Sequence, residues 1–116
     1  MGLYFSHGSA HWAYRYFKDF RRKLAKEINL DLETMEGYSD NDSAISWDTV
    51  KDPIVYLLNH SDCDGDLSPQ ICKVVATRLR ELVQKWEPSD LDKQQALLLA
   101  DGMELAFKRK ELFVFC

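Results

Sequence analysis

The sequence predicts a small, mainly α domain, α+β at most, forming a single unit over residues 1–116. Three stretches carry this expectation, each with apolar residues at helical spacing: residues 10–28, 69–86 and 91–109. No internal repeat or low-complexity segment interrupts them.

Gly2–Phe5 is short, apolar and aromatic, which suits a strand. Ser9 then offers an N-cap for a helix from Ala10 to Ile28. Ala13, Phe17, Phe20, Leu24 and Ile28 fall on one face of it, and Arg15, Lys18, Arg22 and Lys26 on the other. Asn29 is a helix stop signal. Asp31–Glu36 predicts one further helical turn that ends at Gly37. The polar run from Tyr38 to Ser46 reads as a loop. Asp52 followed by Pro53 is a capping pair, so a short helix should run to Asn59.

Ser68 and Pro69 repeat that signal before the strongest helix of the chain. Cys72, Val75, Leu79, Leu82 and Trp86 form its stripe, and the Glu87–Pro88 step ends it. Ser89 or Asp90 caps a last helix to Arg109, with Leu91, Leu98 and Leu105 seven apart and Leu99 and Met103 widening the stripe. Gly102 inside it costs about 1 kcal/mol relative to Ala unless a close helix contact offsets that. Leu112–Phe115 reads as a terminal strand able to pair with Gly2–Phe5 and close the domain.

Apolar residues make up 46% of the chain and charged residues 29%, a globular rather than disordered profile. No apolar run approaches the roughly 18 residues that span a bilayer, and the N-terminal stretch lacks a signal-peptide layout, so no membrane association is expected. Cys63, Cys72 and Cys116 are odd in number and follow no framework spacing, which points to a reducing, cytoplasmic setting.

Net charge is −4, unevenly spread. Residues 1–30 hold six basic and two acidic side chains, residues 31–70 one and ten, and residues 71–116 eight and seven. The acidic middle argues against nucleic acid and suits a cation or a basic protein partner.

Within that block, His60-Ser61-Asp62-Cys63-Asp64-Gly65-Asp66-Leu67-Ser68 resembles the first nine positions of a calcium-binding EF-hand loop. That family presents oxygens from alternate early positions, turns at a glycine in the sixth and closes with a bidentate glutamate in the twelfth. With Gly65 as the sixth, Asp62 and Asp64 take the third and fifth positions, and Leu67 takes the apolar eighth. The resemblance implies a helix–loop–helix over 53–86, with Asp62 and Asp64, and Asp66 through a changed loop path, as weak calcium ligands. His60 in the first position is a nitrogen ligand ill suited to a hard cation, and Ile71 in the twelfth supplies no oxygen. The loop is therefore a degenerate one, and no cofactor is expected. The wider string 57–69 also resembles an uncharacterised family of small bacterial proteins, which implies a bacterial or phage source and no particular activity.

Other chemistries find less support. Zinc would need His60, Cys63, His7 or His11 joined by Cys72, which lies on an apolar helix face. A nucleophilic site from Cys63, His60 and Asp62 would need adjacent turn residues to point at one another. Arg15, Arg21, Arg22 and Lys23 beside Trp12, Tyr14 and Tyr16 mix basic and aromatic character, but on a helix whose apolar face the core requires. The expected function is therefore non-enzymatic: an immunity- or inhibitor-like protein that binds a basic partner through Asp40, Asp42, Asp62, Asp64 and Asp66. A calcium-binding helix–loop–helix protein is the alternative, and an enzyme of unknown class the third.

Overall fold

The computed structural model describes residues 2–40 and 42–116. Its helices bear out the mainly α expectation, and its strands are short. Among the described residues no helix is long and apolar enough to cross a membrane.

Gly2–Leu3 (β1) pairs antiparallel with Trp12–Ala13 (β2), Gly2 opposite Ala13 and Leu3 opposite Trp12. This pairing corrects the predicted start of the first helix. Residues 12 and 13 are held extended, Ser9 caps nothing, and helix α1 runs over Tyr14–Glu27 with Ala13 as an N-cap that makes no side-chain bond. Trp12 gains from the extended path, since its buried ring stacks on Phe20 with centroids 4.5 Å apart. The end of α1 follows the sequence signal: Asn29 adopts φ +56° just past the last turn. Phe17, Phe20, Leu24 and Ala25 are its buried apolar residues, and Arg21 is buried among them.

A 3-10 turn at Leu32–Thr34 is capped by Asp31, whose carboxylate accepts from the Glu33 N–H. Gly37 at φ +86° then ends that path. Met35 and Ile45 bridge in parallel and close the polar loop at its base. A second 3-10 turn, Trp47–Thr49, capped by Ser46, was not anticipated; it buries Trp47. Helix α2 covers Val55–Leu58 and starts later than the Asp52–Pro53 pair predicts: Ile54 is its N-cap and makes no side-chain bond, while Asp52 accepts from the Ile54 N–H in the turn before it.

Asp66–Leu67 forms β3, and helix α3 follows over Pro69–Val83, with Ser68 Oγ accepting from the Ile71 N–H. Helix α3 ends three residues short of Trp86. Helix α4 spans Leu91–Arg109; Asp90 caps it by accepting from the Asp92 and Lys93 N–H groups. Its buried face departs from the expected one. Leu91 is 75% exposed and Leu98 and Leu105 are half-buried, whereas Leu99 and Met103 are buried as expected, together with Ala96, Ala100 and Ala106. Small side chains let two helices approach closely, and the α3–α4 contact is the most extensive between any two elements. Gly102 does permit a close approach, but by the His7 carbonyl rather than by a helix: a Cβ at Gly102 would overlap that oxygen.

Phe113–Val114 (β4) pairs antiparallel with β3, Asp66 opposite Val114 and Leu67 opposite Phe113. On its other side, Tyr4 and Cys116 exchange both backbone bonds, at 3.0 and 2.8 Å, Phe5 bridges Phe115, and Ser6 N–H donates to Val114 O at 2.9 Å. The predicted pairing of the two terminal segments is thus present. It links the short strands side by side in the order β2, residues 2–6, residues 113–116, β3. Phe5, Phe113 and Phe115 are buried beneath it, with centroids 5.1–5.9 Å apart.

Candidate functional site

The loop from Asn59 to Ser68 joins α2 to α3. Gly65 takes φ +90°, a conformation that favours glycine, and Leu67 is buried in β3. His60 is engaged within the loop itself. His60 Nδ1 lies 2.9 Å from the Ser61 carbonyl oxygen and Nε2 lies 3.0 Å from that of Asp66. Its ring stacks on Phe115 at 3.8 Å, and a Cβ on Gly65 would come within 3.1 Å of its Cε1. In the family's loop the seventh backbone carbonyl faces the ion. Here that carbonyl belongs to Asp66 and faces the imidazole instead, so the loop is closed by one of its own side chains. Each ring nitrogen donates only when it carries a proton, so a singly protonated ring bonds one of the two carbonyls at a time.

Asp62 is half-buried, while Asp64 and Asp66 are exposed. Among the described residues no group of three or more His, Cys, Asp or Glu side chains is placed to hold a metal ion. His7 Nε2 lies 2.9 Å from Glu111 Oε1, and His11 stacks on Tyr4. Cys72 is buried in the core, and burial pushes its thiol up to about 11. Cys63 N–H donates to Ser61 Oγ at 3.3 Å, a turn bond local to the loop.

Asp40 and Asp42 are exposed on the polar loop. Tyr38 ties that loop to the end of α2, its hydroxyl donating to the Leu58 carbonyl at 2.7 Å. Burial holds the Tyr38 hydroxyl above its ordinary pKa, against the lowering effect of Arg21. Glu36 and Tyr38 from one loop and Asn59–Asp62 from the other line a shared groove. Beside it, Trp47, Asp48 and Tyr56 line a second groove that reaches His60 and Leu67. Glu36 and Asp62, one from each acidic segment, therefore line the same groove. Within the acidic block, Glu33 pairs with Arg22 at 2.5 Å and Asp52 with Arg78 at 2.9 Å. Asp40, Asp42, Asp64 and Asp66 form no ion pair among the described residues.

Arg21 is the site residue that the sequence reasoning misplaced. It is 4% exposed, and its Nη1 donates to the His60 carbonyl at 2.5 Å, with longer contacts of 3.4 Å to Leu57 O and Leu58 O. Its guanidinium lies 4.6 Å from the Phe17 ring and 5.6 Å from that of Tyr38. Burial lowers its pKa, opposed by Tyr38 and Asp62. The available signal was helical spacing: Arg21 follows Phe17 by four and precedes Leu24 by three, which puts it on the apolar face.

No protein-family model, curated protein or solved structure matches this chain.

Proposed function

We propose that this is a non-catalytic binding protein, of the immunity- or inhibitor-protein kind, that engages a basic protein partner through its acidic surface. The observation that carries the reading is the state of four carboxylates. Asp40, Asp42, Asp64 and Asp66 are exposed and have no internal counterion among the described residues, on two loops that the Tyr38–Leu58 bond holds together. Asp62 lines the groove between α1 and the end of α2. Such a field speeds encounter with a basic surface and sets orientation, while adding little to the stability of the free protein. Ile45 and Tyr56, 44% and 47% exposed, stand on the same segment and supply the apolar anchors that charge alone lacks.

A calcium-binding reading of the loop has less support, because His60 already occupies the Asp66 carbonyl and the aspartates stand apart. The free cysteines support a reducing compartment, and the bacterial source rests on the resemblance of residues 57–69.

The test is affinity capture from host extract at low salt, using the natural chain and a variant with Asp40, Asp42, Asp62, Asp64 and Asp66 all changed to Asn. A stoichiometric basic protein should be retained by the natural chain, eluted by salt, and retained at least about ten-fold less by the variant. Capture unaffected by the five substitutions, or no stoichiometric protein at all, would overturn the reading. Calorimetry with calcium on the same preparation checks the alternative.

A further inference from the structure

Arg21 poses a physical problem that the partner surface does not solve. All but 4% of its surface is buried, yet among the described residues no carboxylate lies within ion-pair distance. Buried charges are ordinarily paired, because an uncompensated one is expensive. Nη1 is taken up by carbonyls at the end of α2, but Nε has no acceptor. The Nε side of a guanidinium is one edge with which it grips a carboxylate through two parallel bonds.

Arg21 lines the groove between α1 and the end of α2, a space of about 310 Å³. Lys18, Glu36, Asn59, Ser61 and Asp62 line it too. The groove therefore offers two cations, two carboxylates and neutral hydrogen-bonding groups. A plain anion entering it would meet Glu36, Asp62 and the acidic block. A plain cation would meet Lys18 and Arg21. A molecule carrying both charges is opposed by neither.

We propose that this groove binds a small zwitterion of the amino-acid class, its carboxylate on Arg21 with Lys18 at the rim, and its ammonium toward Asp62 and Glu36. Nε is shut off from solvent in the empty groove. Seating a carboxylate on it requires the guanidinium to swing outward, giving up the Nη1 bonds to the Leu57, Leu58 and His60 carbonyls. Binding should accordingly be felt along residues 57–62. The groove shares Asp62 with the proposed partner surface, but Arg21 and Lys18 belong to the groove alone, so either reading can fail without the other.

The test is an amide NMR titration of the full chain with L-serine, L-leucine and L-lysine, with acetate and ethylammonium as singly charged controls. At least one amino acid should shift the amides of residues 57–62 and bind about ten-fold or more tightly than either control. Arg21→Lys should weaken it about ten-fold, since the ammonium cannot reproduce the fork. Asp62→Asn, on a half-buried loop residue, should weaken it about five-fold. If Arg21→Lys does not fold, Asp62→Asn and Lys18→Met carry the test. Silence with all three amino acids, acetate binding as tightly as they do, or affinity unchanged in Asp62→Asn and Lys18→Met would each overturn the proposal.

Discussion

The Nε2 of His60 lies 3.0 Å from the carbonyl oxygen of Asp66, and the same ring lies flat against Phe115 at 3.8 Å. One side chain thus closes the α2–α3 loop and packs it on the strand beside it. His60→Ala removes the bond and the stacking together. Stability should fall by about 1–3 kcal/mol, read from urea unfolding. Amide exchange at Phe115, which donates to the Gly65 carbonyl at 2.9 Å, should accelerate. Unchanged exchange there would show that the ring merely leans on the loop.

Gly102→Ala tests the seat of the His7 turn on α4. The added Cβ would overlap the His7 carbonyl, and both partners are backbone-held, so neither yields easily. A loss of about 2–4 kcal/mol is expected, although alanine is the better helix former by about 1 kcal/mol. A variant as stable as the parent on thermal melting would mean that the turn is free to move away.

Asp52 gives the chain an acid-sensitive joint. Partial burial works against its ionisation, but the Arg78 fork, with N–O distances of 2.9–3.1 Å, and the Ile54 N–H outweigh it and hold its pKa below the ordinary value. A carboxyl depressed on folding contributes stability above its unfolded pKa of about 3.9, and that contribution is lost as pH falls through the folded value. Asp52→Asn should cost about 1–2 kcal/mol at neutral pH and flatten the acid limb of the stability profile. An acid limb of undiminished steepness in the variant would assign the effect elsewhere.

The three cysteines should separate cleanly by reactivity. Cys63 and Cys116 are exposed, whereas Cys72 is buried with its thiol raised to about 11. Reaction depends on the thiolate and on access, so Cys72 should be labelled only after denaturation. Mass spectrometry of the native protein after brief alkylation reads this directly, and prompt labelling of Cys72 would contradict its burial.

Local chemistry in the sequence located much of this structure. Ser68–Pro69, Gly65 and Asn29 act within a turn of themselves, and each does what its residue type implies. The start of α1 was not legible, because pairing of residues 12–13 with residues 2–3 overrode a local cap. The inward face of α4 was not legible either. Its leucine and alanine stripes are both periodic, and only the approach of α3 and the His7 turn selects the alanine one. At the site, the acidic block and the loop could be read directly. Which carboxylates are neutralised could not, since Arg22 and Arg78 reach Glu33 and Asp52 across the fold. His60 read as a poor ligand for a hard cation because it offers nitrogen, while its bond to the Asp66 carbonyl was not legible, since a backbone partner does not show in composition.

The neighbour relations of residues 113–116 also set a timetable. They sit between residues 4–6 and β3, so contacts at one side join positions about 110 residues apart. Closing so long a loop costs on the order of 4 kcal/mol of chain entropy before any bond offsets it. The helices form from local contacts, but Phe115 reaches its place only through that long-range closure. Until it does, residues 4–6 have no strand to lie against and the His60 ring has nothing to rest on. Folding should therefore pass through a helical precursor with an unlatched loop, and docking of residues 113–116 should complete it in one cooperative step.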